Sequence, residues 1–545
     1  MDGFMDVDII AGLDDNQRRA VSSGSRHILI VAGPGSGKTR VLASRFARLL
    51  KDGASPASLL AITFTNRAAS EMKARITGLS PNRLKLDIGT FHSFCFKFLK
   101  KTMPGFILFG RAEQAEALRG LGVKAVDRTI DGISAFKNGM VPDAEISGIL
   151  PGYEEALKKA GALDLDDLLL KTIEALDTGG YGLVKTHIMI DEFQDINPVQ
   201  SRLVKLLGKN ASVLAIGDPD QAIYSFRGGS LKSFMDFEKD YPGCEVIGLN
   251  RNYRSLSAVV SASQAVISNN QERIRNDISF TAEGGRIEIL KCADEKAEGE
   301  FIVKEIERMM GGLSSLTAGD HHEGMRFSDF AVLYRTNRQA DALKEAFSRA
   351  PIPIHIVEPP GPDFADFIRH LKSKEVPSGS GIPEFIRAEG DSLGLDKELI
   401  DLFLMAANGL GEGEDLSDLL DDMTLIQPTD NLDIKADKVN LMTLHMAKGL
   451  EFRVVFMAGA EDEFMPLRLK GGSDVEEERR LFYVGMTRAK EILYLIHAKE
   501  RRVWGEDKER QPSPFVEEIP EGLAKKVTKE KKAVKKRPVQ TGLFE

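Results

Sequence analysis

The run VAGPGSGKTRVL, Val31 to Leu42, sets Gly33, Gly35 and Gly37 directly before a Lys-Thr pair. The apolar segment HILIVA precedes it at strand length, and Leu42, Phe46, Leu49 and Leu50 follow at helical spacing. A strand, a glycine loop and a helix in that order turn backbone N–H groups toward an anion at a helix N-terminus. From Ala32 to Thr39 the pattern departs from the usual phosphate loop only in Ala32, which stands for its first glycine. Gly33, Pro34, Gly35, Ser36 and Gly37 are therefore expected to wrap a phosphate, with Arg40 beside them in the first helical turn. Lys38 is expected to reach the outer phosphates, and Thr39 to offer its hydroxyl to Mg²⁺. The chemistry predicted is that of a nucleoside triphosphate.

A second apolar segment, HIMI, ends in DEFQD, Asp191 to Asp195. Paired acids after a strand are often a solvated loop; downstream of a phosphate loop they suit a metal ligand and a base. Asp191 is expected to hold Mg²⁺, and Glu192 to orient the attacking water. A third segment, SVLAIG, leads into DPDQAIYSFRGG. The elements that must position these groups are thus parallel strands whose C-terminal ends share one edge.

The 545-residue chain is long enough for several domains, at roughly 150 residues each. Its longest apolar runs are strand-sized, and the N-terminal MDGFMDVDII is acidic where a signal peptide would be basic, so a cytoplasmic protein without a membrane span is expected. Cys95, Cys244 and Cys292 lie far apart with no CxxC, which points away from a zinc site or a disulfide framework. His321 and His322 read as a loop. A net charge of −9 leaves nucleic acid undecided, since one basic groove can coexist with acidic outer faces.

From DPDQAIYSFRGG onward the chain resembles the UvrD/Rep family of superfamily 1A helicases. LDDNQRRAV, AITFTNRAASEMKARI, GTFHSF, LDLDDLL, LNRNYRS, LYRTN, TLHMAKGLEF and EEERRLFYVGMTRAK follow in family order over about residues 9 to 520. The resemblance implies an α/β fold: two RecA-like P-loop domains with parallel sheets flanked by helices, each carrying an inserted, mainly helical subdomain. The first would span 1–90 and 183–248, interrupted by a helical insertion at 91–182. The second would span 249–362 and 437–520. It is interrupted by an insertion at 363–436, which is short for the family and carries SGSG and the acidic run Glu412 to Asp422.

By the same resemblance Gln17 reads adenine, Tyr253 stacks on it, and Glu451 holds the ribose. Gln221 senses the γ-phosphate, which Arg254 and Arg488 reach as arginine fingers from across the cleft. On the polymer side it implies DNA contacts from Phe64, Thr65, Asn66, Thr90, His92, Tyr224, Phe226, Arg227, Arg335, Asn337, Thr443 and His445. Aromatic faces for bases and polar groups for backbone are what a sequence-tolerant grip needs. Phe226 stands where the family often has Trp. Phe91 and Phe94 suit a core, whereas Tyr224 and Phe226, alternating beside Arg227, suit a wet groove.

The function implied is an ATP- and Mg²⁺-dependent DNA helicase or translocase moving 3′ to 5′ on single-stranded DNA and 3′-tailed duplexes, in repair or replication. The cut-down insertion also allows a DNA-bound ATPase that remodels or displaces proteins without unwinding. Residues 521–545 read as a basic disordered tail, with Lys/Arg at 525, 526, 529, 531, 532, 535, 536 and 537. Its end places Gln540, Leu543 and Phe544 in a QxxLF pattern similar to the short peptides that dock on sliding clamps.

Overall fold

The computed structural model describes residues 9–79, 86–179, 185–225, 228–229, 231–311, 324–357, 362–377, 380–407, 415–425, 437–468, 474–503 and 506–528. His321, His322 and the QxxLF end with Gln540, Leu543 and Phe544 lie outside them. The chain forms two compact units. Unit 1 holds Met1–Arg254, Glu272–Thr281 and Val357–Asp433; unit 2 holds Ser255–Gln271, Ala282–Ile356 and Ile434–Glu545.

Unit 1 is built on β1 (His27–Ala32), β2 (Leu59–Thr63), β3 (Ile88–Thr90), β4 (His187–Ile190), β5 (Ser212–Gly217) and β6 (Glu245–Leu249). They form one parallel sheet in the order β3-β2-β4-β5-β1-β6. Most of these strands are near-continuous apolar runs because helices cover both faces. Ile28 and Ile30 of β1 pack with Leu42 and Phe46 of α2 (Lys38–Lys51) and with Met72 and Ile76 of α3 (Asn66–Gly78). Leu29 and Val31 turn the other way, toward Phe94 and Phe98 of α4 (Phe91–Thr102) and Leu203. Val31 pairs with Gly217 and Ala32 with Leu249, so the loops after β1, β5 and β6 leave the sheet at one edge.

The first insertion is mainly helical, as expected. Helices Arg111–Gly120, Val126–Lys137 and Ala144–Ala160 close around Leu118, Ile133, Tyr153 and Leu157, and a short parallel pair, Ile107–Phe109 with Ala162–Asp164, joins them. In the second, helices Pro362–Lys372, Ile382–Ser392, Lys397–Ala407 and Leu416–Thr424 surround Phe367, Leu371, Ile386 and Phe403. Its place in the chain predicts that this segment belongs to the second domain; it clusters instead with unit 1. Asp421 pairs with Lys100 at 2.8 Å, Asn66 Nδ2 donates to the Leu425 carbonyl at 3.3 Å, and the Leu425 side chain enters the core with Phe94 and Phe98.

Unit 2 carries β7 (Arg286–Asp294), β8 (Phe330–Tyr334), β9 (Ile354–Ile356), β10 (Val439–Thr443), β11 (Phe452–Ala458), β12 (Ala489–Val503), β13 (Glu506–Glu509) and β14 (Lys525–Thr528). Their order is β9-β10-β8-β11-β12-β7-β14, with β13 antiparallel to β12. Apart from the additional edge strand β9, this repeats the unit 1 order with β7 in the place of β1 and β11 in the place of β4. Both units are RecA-like α/β sheets. Lys525–Thr528, expected to be disordered tail, instead pairs in parallel with Glu288–Lys291, and Val527 packs on the core of unit 2. Cys95 and Cys292 are buried and Cys244 is partly so; none of the three forms a disulfide. No helix among the described residues is long and apolar enough to cross a membrane.

Candidate nucleotide-binding and strand-contacting site

Gly35 and Gly37 adopt φ of 64° and 83°, the left-handed conformation that glycine takes without steric cost. A Cβ on Gly33 would lie 1.9 Å from Ile278 Cδ1, and one on Gly35 would lie 2.6 Å from Arg254 Cβ. The loop's carbonyls are all tied back to protein. Ser36 Oγ donates to Gly33 O at 2.7 Å, Asn252 Nδ2 to Pro34 O at 2.9 Å, Tyr253 N–H to Gly35 O at 2.9 Å, and Gln17 Nε2 to Ser36 O at 2.8 Å. Gly33 N–H is also engaged, donating to Leu249 O at 3.0 Å, so the anion would be met by N–H groups nearer the start of α2. Gly37 caps α2 without any side-chain hydrogen bond, so the positive end of that helix is open to an anion.

Gln17, expected to read adenine, is buried at 2 % exposure and uses its amide on the loop. Its oxygen accepts from Asp14 N–H at 3.2 Å, in the capping box of α1 (Asp15–Ser22). The Tyr253 hydroxyl donates to Asp14 at 2.6 Å, and its ring stays 45 % exposed with the Arg251 guanidinium 5.5 Å from its centre. That is the free aromatic face a base needs. Arg40 donates to Ala11 O at 3.2 Å, which fastens the chain ahead of α1 to the loop.

Asp191 closes β4 and is buried; its Oδ1 accepts from Glu192 N–H at 3.0 Å. Glu192 itself sits at φ 50°, an uncommon conformation for a residue with a side chain. Its carboxylate accepts from Gln194 Nε2 at 2.6 Å. Gln194 Oε1 accepts in turn from Asp218 N–H at 3.0 Å, and Asp218 accepts from Gln221 Nε2 at 2.7 Å. Burial lifts the Asp218 carboxyl to about 7; Asp220 and Glu192 add to the lift, while Lys38 and the Gln221 hydrogen bond oppose it. Asp220 is neutralised by Arg273 at 2.7 Å.

The sequence reading places Arg254 and Tyr253 on the second domain, but both lie in unit 1. Arg251–Asn252 pairs with Ser279–Phe280, and the Arg254 N–H donates to Asn252 Oδ1 at 2.8 Å, so the chain stays against the phosphate loop through Arg254. Arg488 and Glu451 do lie in unit 2. Arg488 is buried at 1 % exposure and donates to Val484 O, Leu450 O and Thr487 Oγ1 at the end of α8 (Val475–Met486), while Glu451 pairs with Lys490 at 2.7 Å.

On the polymer side, Thr65 and Thr90 are helix caps whose hydroxyls accept from Ala68 and Ser93 N–H. Tyr224, expected in a wet groove, is buried at 8 % exposure because its ring stacks on Phe64 at 5.0 Å. Phe64 remains half-buried. Burial holds the His92 imidazole down at about 4, hence neutral at pH 7, against the pull of Asp164. Phe91 and Phe94 are core, as expected. Phe226 and Arg227 lie outside the described residues. In unit 2, Arg335 makes a two-pronged ion pair with Glu478, Thr443 Oγ1 accepts from Met446 N–H at 3.4 Å, His445 is half-buried, and Asn337 is exposed.

LDLDDLL supplies structure. Asp164 and Asp167 flank the buried Lys137 ammonium at 2.8 and 2.7 Å, and burial raises the Asp166 and Asp167 carboxyls to about 6. Sequence reasoning missed Asp14, Gln194, Asp218 and Asn252. Each stands inside or beside a quoted motif, but the signal that would have found them is hydrogen-bonding between loops, which spacing does not carry.

Two family models match the chain. The UvrD/REP helicase N-terminal domain matches residues 13–107 and 111–242, and the UvrD-like helicase C-terminal domain matches 247–364 and 397–500. The stretch the second model skips falls within the short insertion. Among curated proteins, the chain is similar to the ATP-dependent DNA helicase PcrA of Staphylococcus epidermidis (strain ATCC 35984), 30 % identical over 96 % of this chain and 88 % of that protein. It is 29 % identical to the ATP-dependent DNA helicase PcrA of Staphylococcus aureus (strain MRSA252), over 94 % of this chain and 86 % of that protein.

Proposed function

Because the chain belongs to the UvrD/Rep helicase family, we propose that it is an ATP-dependent DNA helicase that moves 3′ to 5′ along single-stranded DNA. One observation carries most weight: the segment from Gln221 to Tyr224 joins an amide held by Asp218 to the aromatic stack on Phe64. A change in how Gln221 is held is thereby delivered to a surface suited to bases.

The phosphate loop binds the triphosphate through N–H groups whose carbonyl partners are already engaged, so little reorganisation accompanies binding. Lys38 neutralises the outer phosphates, and Tyr253 stacks on the base. Thr39 and Asp191 present the hard oxygen donors that Mg²⁺ takes, and the ion when bound would neutralise charge on the phosphates. Glu192 orients the attacking water and accepts its proton. Gln221 reports the γ-phosphate, and Arg254, beside the loop, supplies positive charge to it.

The test is strand separation. The purified protein with ATP and Mg²⁺ is expected to unwind a 3′-tailed duplex and not a 5′-tailed one, and single-stranded DNA is expected to stimulate its ATPase more than duplex DNA or RNA does. ATPase stimulated by DNA without unwinding would instead identify an enzyme that remodels DNA-bound proteins. Arg254→Ala is expected to cut stimulated hydrolysis with little loss of strand affinity; equal losses would reassign it to the DNA.

A further inference from the structure

We propose that Gln194 is a positioning residue that holds the base Glu192 and the sensor Gln221 in one hydrogen-bonded chain, so that neither moves without the other. The proposal rests on the base assignment above.

The Gln194 side chain is 1 % exposed and its amide is spent at every point the chain needs. Its nitrogen donates to Glu192 Oε2 at 2.6 Å and to Asp195 Oδ2 at 2.9 Å, and its oxygen accepts from Asp218 N–H at 3.0 Å. That fixes the amide's orientation: reversed, it would set its oxygen against two carboxylates and its N–H₂ against an N–H. Asp218 then passes the constraint on, accepting from Asp220 N–H at 3.1 Å and from Gln221 Nε2 at 2.7 Å. Two loops that leave different strands are thus bolted together by one amide.

The neighbouring sequence makes room for it. A Cβ on Gly217 would lie 2.3 Å from Gln194 Oε1 and 2.9 Å from Phe234 Cε2, so a side chain at 217 would press hardest on the amide and also on the ring beside it. Glu192 supplies the reason a brace is needed. At φ 50° its backbone is in a region that is strained for a non-glycine residue and persists only where the surroundings over-determine it. A hydrogen bond from a rigid, buried donor is such a surrounding.

Gln194→Met keeps length and volume and removes all three hydrogen bonds. It is expected to lower kcat of DNA-stimulated ATP hydrolysis about 10-fold, with KM for ATP and single-strand affinity within about two-fold. In the Glu192→Gln background the same substitution is expected to cost nothing further, because the group it positions is already disabled. Gly217→Ala, which displaces the amide without altering it, is expected to give the same split between kcat and KM. A rise in KM that accompanies the fall in kcat, or a further loss on top of a slow Glu192→Gln, overturns the proposal alone. Undiminished turnover in Glu192→Gln by itself overturns the base assignment, and the proposal with it.

Discussion

The junction of β1 with α2 in unit 1 and that of β7 with α7 (Glu295–Met309) in unit 2 occupy the same place in sheets of the same order. In unit 1 the junction is three glycines, and α2 begins without a side-chain cap. In unit 2 it is Asp294, whose carboxylate accepts from Ala297 N–H at 2.8 Å and closes the helix end on itself. The charges behind each junction differ in the same sense. Unit 1 sets Lys38 near Asp218 and Glu192. Unit 2 closes a buried triad: Arg501 reaches Glu298 at 2.7 Å and Glu461 at 2.6 Å, and Glu298 also accepts from Gly459 N–H, the first residue after β11. One scaffold therefore carries, in unit 1, the uncapped glycine-lined helix start proposed for the nucleotide and, in unit 2, a rigid joint whose charged groups satisfy one another.

The largest expected effect that would break this comparison is on catalysis. Lys38→Ala should lower ATP turnover about 10³-fold, since a charge aimed at the outer phosphates is lost, while DNA binding without nucleotide survives. Turnover close to wild type would mean the open junction is not the phosphate site. Next comes the closed triad: Arg501→Ala should destabilise unit 2 by about 3–5 kcal/mol in urea unfolding, because two buried carboxylates lose their partner. Replacing all three with apolar residues of similar size should recover most of that. If the triple replacement also abolishes ATPase, the triad is more than a joint.

Asp218 sharpens the contrast through pH. Its folded carboxyl titrates at about 7 against about 3.9 in an unfolded chain, so between those values the folded state holds a proton the unfolded state has released. The Asp218 contribution to stability therefore falls as pH rises from 4 to 7, and Asp218→Asn should lack that component. Urea titrations of the nucleotide-free protein across this window, wild type minus variant, measure it; parallel slopes would remove Asp218 as the source. The smallest effects are at the caps. Asp294→Ala should cost about 1 kcal/mol of stability and leave ATPase intact. Gly37→Ala, strained at φ 83°, should cost about as much and also weaken ATP binding, as nucleotide titration would reveal.

The order of strand, glycine loop and helix, and the acids after β4, were legible because each is a local pattern with a fixed period. Allegiance to a unit was not. Nothing in the spacing of LNRNYRS says that its Asn252 bonds Pro34 O, or that Asp421, far along the chain, pairs with Lys100. The alternation of Tyr224 and Phe226 beside Arg227 suggests a wet groove, but Tyr224 is buried against Phe64, which lies on a separate segment. Lys525–Thr528 looked too charged to fold, yet an edge strand tolerates lysines that point to solvent. Thr65 and Thr90 were read for their hydroxyls alone, when a threonine ahead of a helix is first of all a cap.

The path of the chain between the units bears on how the protein is made. It changes unit after Arg254, Gln271, Thr281, Ile356 and Asp433. When Arg254 leaves the ribosome, the phosphate loop still lacks Ile278 beside Gly33, and the core around Phe94 and Phe98 still lacks Leu425. At about 5–20 residues per second, the interval until Asp433 is synthesised is roughly 10–40 s. For that time the nascent nucleotide domain carries an uncovered apolar patch, and unit 2 is being synthesised in pieces between its missing parts. Neither unit is one contiguous stretch of chain, and the window in which a chaperone has something to hold is set by the length of chain between one crossing and the last.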